Sequence, residues 1–370
     1  MVLFLPSIRN AVINKVLNKY NSSYYKVVSV STQLSKSIST MKIGTHDGVF
    51  HCDEVLACYM LKQLPEYKDA QIIRSRNQEI LKTCDIVVDV GAVFDHDLKR
   101  YDHHQREFSE TFSSLRPEVG DKYDIKLSSA GLVYTFYGER LIRHMAPIEH
   151  PLTTDNLQLI YKKVYEKFIQ EVDAIDNGVP MTLEEPKYKI NTYLSKRVER
   201  LNPQWNIPQT LNTDELFVKA MNLVSEEFLH SLNYLILSWL PARDSVKKAI
   251  EDRFHIHKSG SIIEFTEHIP WKEHLYDLEE ELGLINKEIK YVLFNDKPKS
   301  WRVQAVAVSL GSFITRKPLH KNWWGVRDQI LSDVAGIEGC IFCHSTGFIG
   351  GNTSRNGALA MAVASLEAAE

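Results

Sequence analysis

Histidines and acidic residues gather in four short stretches of the sequence. The first is "THDGVFHCDE" at residues 45 to 54, and the second is the apolar run "DIVVDVG", from which Asp89 emerges. The third is "YDHHQ" at 101 to 105, and the fourth is "DAIDNG", which contains Asp176. Aspartate and histidine without paired cysteine ligands suit a divalent metal, and the many carboxylates favour manganese or magnesium. The candidate metal ligands are His46, Asp47, His51, Asp53, Asp89, His103 and Asp176.

This number of ligands predicts two metal ions, with Asp89 as the carboxylate that bridges them. Two divalent ions about 3.5–4 Å apart lower the pKa of a shared water and stabilise the entering and leaving oxygens at phosphorus. His104, next to the candidate ligand His103, is a candidate general acid for the leaving oxygen, or a contact for a phosphoryl oxygen. The alternative role for His104 is a supporting hydrogen bond to Asp102. Asp102 and His104 are therefore the candidate catalytic residues.

Alternating strand and helix patterns position these residues between about 41 and 180. "MKIGTH", "AQIIRS" and "DIVVDVG" are typical of buried strands, and "DEVLACYMLKQL" has apolar residues at helical spacing. Two longer helices are predicted in "SSAGLVYTFYGERLIRHM" and in "NLQLIYKKVYEKFIQEVDAIDNG", which ends at Gly178. This alternation predicts an α/β fold with a parallel sheet. The stretch at 45 to 54 then follows a strand directly, at the sheet edge where such folds place their sites.

A second, smaller α/β module is predicted after Pro241. Its strand-like runs are "SIIEF", "IKYVLFND", "WRVQAVAVSL" and "CIFCHSTGFIGG". We expect a catalytic domain at 41 to 240 and a substrate-binding domain at 241 to 370. Arginines can bind phosphate through two N–H groups at once, and the backbone of glycines can approach a phosphate closely. Trp323 and Trp324 offer faces on which nucleic-acid bases could stack. The glycines also fit a turn that binds nothing. The candidate substrate-binding residues are Arg316, Arg327, His344, Gly350 and Gly351.

The first 40 residues differ from the rest in charge. They carry five basic residues and no acid, and "IRNAVINKVLNKY" fits a basic amphipathic helix. This composition is typical of a mitochondrial transit peptide, and the alternative is a disordered basic tail. Met41 precedes the first predicted strand and offers a second start for a leaderless form. Because all 47 acidic residues follow this leader, a phosphate substrate needs local basic groups or bound cations.

Several kinds of site and location are disfavoured. No apolar run approaches the roughly 18 residues of a membrane-spanning helix, so no membrane partner is expected. Five cysteines are too few and too clustered for a disulfide framework in 370 residues, which favours a reducing compartment. "CIFCH" at 340 to 344 has the spacing of a c-type haem attachment. It lies in a strand-like run of a chain without a secretory signal, so no haem is expected.

The sequences of these motifs resemble those of one superfamily and of one family within it. Residues 46 to 53, Asp89, "DHH" at 102 to 104 and Asp176 resemble the motifs of the DHH phosphoesterases, which include RecJ-type exonucleases and manganese-dependent family II pyrophosphatases. "GTHDGVFHCDEVLA", "RVERLNPQWN" and "CHSTGFIGG" resemble the melanocyte proliferating gene (Myg) family of RNA exonucleases, and the resemblance extends from Met41 onward. It implies a two-domain DHH phosphoesterase-like fold, 3′ to 5′ RNA exonuclease activity, and placement in the nucleus and the mitochondrial matrix.

The same resemblance implies how two ions would divide the ligands. One ion would be held by Asp53, Asp89, His103 and Asp176. The other would be held by Asp89 together with His46, Asp47 or His51. In many superfamily members the first motif is a histidine, three further residues, an aspartate, one further residue and a second aspartate. At the same spacing this chain has Asp47, His51 and Asp53. Histidine and aspartate have exchanged places, so His46 and Asp47 are alternative ligands.

Three functions stay open at the level of the sequence. The leading prediction is a 3′ to 5′ exonuclease that takes RNA as its substrate and uses two Mn²⁺ ions, or Mg²⁺. A phosphatase or pyrophosphatase for a small phosphate compound would use the same ligands. A non-catalytic RNA-binding protein that keeps the metal site is the third. The sequence does not determine the oligomeric state or the transcripts.

Overall fold

Two five-stranded sheets organise the chain. The structure is a computed structural model that describes residues 40–206, 212–284 and 288–368. All of the predicted leader except Thr40 lies outside the described residues, as does part of the loop predicted at 197 to 215. The α/β class is confirmed by the two sheets and the helices around them. The two-domain DHH arrangement stays a prediction.

The amino-terminal sheet is parallel through four of its five strands. Its strands are β1 Lys42–Thr45, β2 Gln71–Arg74, β3 Ile86–Val88, β4 Phe94–Asp95 and β5 Arg100–Tyr101. They stand in the order β2-β1-β3-β5-β4, and every neighbouring pair is parallel except β4 with β5. The first three strands lie where the sequence predicts them. β4 and β5 have no predicted counterpart, because two-residue strands are too short to show alternation.

Helices cover this sheet and build the larger of the cores. They are α1 Cys52–Lys62, α2 Gln78–Leu81, α3 Phe112–Leu115, α4 Ser129–Met145, α5 Thr154–Val164, α6 Gln170–Asp176, α7 Leu194–Glu199 and α8 Thr213–Tyr234. The next helix, α9 Leu240–Glu251, packs instead in a core of the second sheet. The central helix is α1, in which every residue from Cys52 to Leu61 is buried. A helix that is apolar nearly all round belongs inside a protein. Its two acidic residues, Asp53 and Glu54, are therefore carried into the interior.

Two π turns interrupt the longer helices. Tyr165–Ile169 joins α5 to α6, and Leu235–Trp239 joins α8 to α9. Pro241 lies in the first turn of α9, directly after the second π turn. Proline lacks an N–H and clashes with the carbonyl four residues earlier, and a π turn provides the local widening that removes this clash. The predicted domain boundary at residues 240 and 241 thus lies inside a continuous helix, and the division into two domains stays a prediction.

The carboxyl-terminal sheet is mixed. Its strands are β6 Ile262–Phe265, β7 Tyr291–Lys297, β8 Ser300–Ala305, β9 Cys340–Cys343 and β10 Ile349–Asn352, in the order β6-β7-β8-β10-β9. β6 and β7 are parallel, and the other neighbours are antiparallel. The helices of this part are α10 Arg253–Ile256, α11 Lys272–Glu281, α12 Asp328–Ala335 and α13 Arg355–Glu367.

Both faces of this second sheet are covered, as the alternation along β7 shows. Tyr291 and Leu293 belong to one core, whereas Val292 and Phe294 belong to another. Successive side chains of a strand point to opposite faces, so one strand serves both cores. Among the described residues, no helix combines the length and the apolar character that crossing a membrane requires.

Candidate metal centre

The carboxyl ends of three neighbouring strands bring the principal side chains together. His46 follows β1, Asp89 follows β3, and His103 follows β5 by two residues. His46 Nε2 lies 3.3 Å from Asp89 Oδ2, and His103 Nε2 lies 3.3 Å from Asp89 Oδ1. All three side chains are at most 5% exposed. Because parallel strands end at one edge of the sheet, residues separated by more than 50 positions meet there.

The backbone at Asp89 directs its carboxylate into this edge. Asp89 has φ +57°, and Gly91 and Ala92 after it also have positive φ. Aspartate is one of the few residues that tolerate this region, and such strain concentrates at functional sites. The Asp89 N–H donates to the Tyr101 carbonyl, and Asp102 Oδ2 accepts from the Ala92 N–H at 2.6 Å. Asp102 thereby holds the loop that presents Asp89.

Helix α1 supplies two further carboxylates. Glu54 Oε1 lies 3.0 Å from His46 Nε2, and both Glu54 oxygens accept from the His51 backbone N–H. Asp53 Oδ2 accepts from the Ser129 hydroxyl at 2.7 Å. Sequence reasoning did not assign Glu54 to the site. Its position, three residues after His51 at the start of a helix, is typical of a capping acid, and only the fold brings it to His46.

Asp176 closes the site from the end of α6. Its Oδ2 lies 3.1 Å from His103 Nε2. The helix ends there because Gly178 has φ +66° and the Val179 N–H donates back to the Ala174 carbonyl. An acid in the last turn is unfavourable beside the helix dipole. Its placement next to an imidazole therefore indicates a site requirement rather than helix stability.

Three overlapping groups of side chains could each hold a metal ion, with ligand atoms within 4.8 Å of one another. The first ligand group is His46, His51, Glu54 and Asp89. The second is Asp53, His103 and Asp176, and the third is Asp89, His103 and His104. Asp47 belongs to none of these groups: its side chain is 58% exposed and lies 3.4 Å from Arg76 Nε. The geometry thus brings His46, rather than Asp47, to the other ligands.

The buried atoms at the centre fit a divalent cation. Among the described residues, Asp53 Oδ1 and His103 Nδ1 have no hydrogen-bond partner, and His46 Nε2, His103 Nε2 and Asp89 Oδ1 face only the imidazole or carboxylate partners named above. Buried polar atoms without partners are costly, and native proteins contain few of them. Oxygen and imidazole ligands at these positions would be satisfied by divalent metals. The donor set does not identify which metal is bound.

Buried charges at this centre shift one another's protonation. Burial lowers the pKa of His46, but its contacts with Asp89, Glu54 and the Asp47 carbonyl together outweigh burial and raise the pKa to about 10. Burial also lowers the pKa of His103, and contacts with Asp176 and Asp89 raise it to about 9. Burial and the nearby Asp89 raise the pKa of Asp53 well above its usual value. The pocket attracts positive charge, which metal ions would supply in place of protons.

His104, a member of the third ligand group, is paired with Asp102. The His104 ring lies with Nδ1 2.7 Å from Asp102 Oδ1, and its side chain is 62% exposed. This hydrogen bond raises the pKa of His104 above its usual value. A carboxylate can only accept, so Nδ1 carries the shared proton and Nε2 is the nitrogen available to a substrate. Asp102 is buried and touches no ligand group except through His104 and the loop at Asp89.

The predicted substrate contacts of the carboxyl-terminal part separate into exposed and buried residues. Arg327 and His344 are exposed, as a substrate contact requires. Arg316 is instead 2% exposed and forms a two-fold ion pair with Glu279, with both N···O distances 2.6 Å. Arg316 Nε and Nη1 also donate to backbone carbonyls. The structure therefore gives the buried Arg316 guanidinium an internal partner in place of a phosphate.

Gly350 and Gly351 lie inside β10 and are paired on both sides. A Cβ on Gly350 would lie 2.9 Å from Leu319, and one on Gly351 would lie 2.8 Å from the Arg302 guanidinium. Their small size is thus required by packing in the sheet. Trp323 is buried in the core as well, so it offers no free stacking face.

Comparison with known proteins gives one consistent family. The family profile described as an uncharacterised protein family (UPF0160), MYG1 exonuclease, matches residues 42–366. The chain is 48% identical to the human MYG1 exonuclease, over 90% of this chain and 87% of that protein. It is 50% identical to the rat MYG1 exonuclease, over 88% of this chain and 84% of that protein. It is 46% identical to the MYG1 protein of Dictyostelium discoideum, over 89% of this chain and 97% of that protein.

Addition of Mn²⁺ to the metal-free chain is expected to increase the free energy of unfolding, because only the folded chain assembles the ligand groups. At a free metal concentration 100 times the Kd the gain is about 2.7 kcal/mol. Thermal unfolding with and without Mn²⁺, followed by circular dichroism, measures it. Asp89→Asn should remove most of this gain, since Asp89 contacts both His46 and His103.

Asp47→Asn is the matched control for that experiment. It makes the same chemical change at a carboxylate that is largely exposed and outside the ligand groups. We expect its Mn²⁺-induced gain to equal that of the unmodified chain. An equal loss in the two variants would instead return Asp47 to the ligands, and an undiminished gain in Asp89→Asn would contradict the ligand groups.

Arg316→Ala should lower the free energy of unfolding by about 3–5 kcal/mol, because it leaves the buried Glu279 carboxylate without its partner. Arg327→Ala, at an exposed position, should change it by no more than about 0.5 kcal/mol. Urea unfolding of the two variants makes the comparison. An Arg316→Ala protein of normal stability would show that the ion pair does not have the structural role assigned here.

Proposed function

Because the chain belongs to the MYG1 family, whose named relatives support a nuclease-like function at the family level, we propose that it is a 3′ to 5′ RNA exonuclease that depends on two divalent metal ions. Mn²⁺ is the preferred ion in this proposal, and Mg²⁺ is the alternative. The products are nucleoside monophosphates released one at a time by hydrolysis of the terminal phosphodiester.

The observation that carries the proposal is the overlap of the ligand groups. The first and second groups are linked through the third, which shares Asp89 with one and His103 with the other. Such an overlap suits two neighbouring ions rather than two separate sites. When bound, the ions would activate a water and neutralise charge on the phosphate, which is the chemistry of many phosphodiesterases.

The side chains of the protein have their own tasks in this reaction. Asp53, Glu54 and Asp89 provide fixed negative charge, and their burial keeps bulk water from competing with the substrate. The Ser129 hydroxyl holds one Asp53 oxygen and leaves the other for a ligand role. Glu54 is held by the His51 backbone, so its carboxylate cannot turn away from His46.

His104 is the general acid of the proposed mechanism. Its Nδ1 proton is held by Asp102, which favours the protonated ring and directs Nε2 away from the carboxylate. The ring is exposed while its neighbour His103 is buried, so it is reachable by a substrate. Proton transfer from Nε2 to the departing ribose oxygen avoids an unprotonated alkoxide.

RNA is the proposed substrate because the carboxyl-terminal part offers cations beside aromatic faces. The guanidinium carbon of the exposed Arg327 lies 5.7 Å from the centre of the Phe342 ring. The His344 ring lies 4.6 Å from that of Phe348. Single-stranded nucleic acid is bound by basic groups that follow the backbone and rings that stack on bases. The position of Arg327 and His344 on the surface supports this role.

The proposal is tested with the full-length chain, stripped of metal and resupplied with Mn²⁺ or Mg²⁺, on an RNA oligonucleotide labelled at its 5′ end. A metal-dependent ladder that shortens from the 3′ end is expected, and Asp89→Asn should abolish it. Intact RNA together with hydrolysis of pyrophosphate or a mononucleotide would replace the exonuclease by a small-molecule phosphatase. Binding of RNA without turnover of any of these compounds would leave a binding protein.

His104→Gln should lower kcat on RNA by about 10²- to 10⁴-fold, since the glutamine cannot supply a proton to the leaving oxygen. Most of the Mn²⁺-induced gain in stability should remain, because the first and second ligand groups do not contain His104. His255→Gln, at a side chain that is 85% exposed and distant in sequence, is the matched control and should leave kcat unchanged. If the His104 variant kept normal kcat, the ring would not be the general acid.

A further inference from the structure

Each parallel strand of the amino-terminal sheet ends in a residue of one continuous row. The strand order β2-β1-β3-β5 is matched by the order of side chains Arg76, His46, Asp89 and His103. Arg76 Nη2 lies 3.2 Å from His46 Nδ1, and the next two steps of the row are each 3.3 Å. Arg76 is thus the contribution of β2 to the edge that carries the ligand groups, and it is a basic residue beside many acids.

The two arginines at this strand end have different surroundings. Arg74 has a side chain that is 3% exposed; it donates to Asp214 and to the Gly48 carbonyl and lies over the Phe217 ring. These contacts make Arg74 a structural residue. Arg76, two positions later, has a side chain that is 64% exposed. Exposure next to a buried metal centre places its guanidinium at the mouth of the site.

The tautomer of His46 decides whether His46 Nδ1 accepts a hydrogen bond from Arg76. His46 Nε2 faces Glu54 and Asp89, so a metal ligand role requires the lone pair on Nε2 and the proton on Nδ1. That proton is donated to the Asp47 carbonyl, 3.0 Å away. Metal-bound histidines usually donate their second N–H in this way. Nδ1 then cannot accept from Arg76, so the Nη2 group of the guanidinium is not held by His46.

The other neighbour of Arg76 holds it weakly. Asp47 Oδ1 lies 3.4 Å from Arg76 Nε, and both side chains are more than half exposed. Exposed ion pairs of this kind contribute little and are easily exchanged. A phosphate group presents several charged oxygens that match the two-pronged geometry of a guanidinium. It would therefore displace Asp47 from Arg76.

We propose that Arg76 binds a phosphoryl oxygen of the substrate at the His46 side of the ligand groups, with Asp47 holding the guanidinium until the phosphate arrives. The ligand class is a phosphodiester or a terminal phosphate monoester. The assignment of this ligand to RNA rests on the proposed function. Arg76 then compensates the negative charge that Asp53, Glu54 and Asp89 present to an incoming phosphate.

Steady-state kinetics on the 5′-labelled RNA test this role. Arg76→Ala should lower kcat/KM by about 10- to 100-fold, the loss typical of a hydrogen bond to a charged group. Arg76→Lys should recover part of the lost kcat/KM, because lysine keeps the positive charge but lacks the paired N–H donors of a guanidinium. Added guanidinium ion should rescue the alanine variant. Arg143→Ala, which removes an exposed arginine on α4, is the matched control and should leave kcat/KM unchanged.

Two readouts separate substrate binding from an indirect effect through His46. The Mn²⁺-induced gain in unfolding free energy should be the same in Arg76→Ala as in the unmodified chain. If that gain is lost together with activity, Arg76 is a positioning residue for His46 and the proposal is wrong. An unchanged kcat/KM in Arg76→Ala also overturns it.

Binding of inorganic phosphate to the Mn²⁺-loaded chain, measured by calorimetry, does not depend on RNA being the substrate. Weaker binding in Arg76→Ala supports the phosphate contact even if the unmodified chain leaves RNA intact, in which case only the RNA assignment fails. Equal phosphate affinity in the two proteins overturns the Arg76 proposal, whether or not RNA is cleaved.

Discussion

Concentration of negative charge inside the protein is the constraint on which the rest of the structure depends. Three carboxylates, those of Asp53, Glu54 and Asp89, are each at most 3% exposed. Glu54 and Asp89 contact the His46 imidazole, and Asp53 lies near that of His103. Carboxylates taken out of water and placed together are expensive unless cations compensate them. The imidazoles of His46 and His103 supply part of this compensation through their contacts with Glu54, Asp89 and Asp176, and metal ions held by the ligand groups would supply the remainder.

The helices around this charge are held by a second, fully buried polar contact. Asp173 accepts from the Ser128 N–H and hydroxyl at the start of α4 and from the Tyr165 hydroxyl in the π turn. Burial raises the pKa of Asp173 to about 7 although these hydrogen bonds lower it. A Cβ at Gly131 would lie 2.3 Å from Asp173 Oδ1, so glycine there permits the close approach. This contact lies one turn before Asp176 and sets the position of that ligand.

The carboxyl-terminal sheet is joined to the metal-binding part at the π turns. Lys163 and Lys167 pair with Glu273 on α11, and His274 Nε2 lies 2.7 Å from the Trp239 carbonyl. The same helix interrupted by the second π turn continues into α9, which packs against the second sheet. The exposed Arg327 and His344 of that part are thus attached to the helices that carry the ligand groups by both covalent continuity and ion pairs.

The sequence by itself determined the α/β class and the strands β1, β2 and β3, and it predicted Asp53, Asp89, His103 and Asp176 as candidate metal ligands. The short strand β5, which leads to His103, had no predicted counterpart. Strand and helix periodicity are local, and a charged residue at the end of an apolar run is visible without a partner. Only the tertiary structure decided what each charge faces. Arg316 reaches the buried Glu279, 37 positions away, whereas Arg76 stays largely exposed beside Asp47. No local pattern separates an arginine with a buried acidic partner from one with an exposed partner. Glu54 joined the ligands and Asp47 left them for the same reason: pairing depends on the packing of distant segments, which periodicity does not encode.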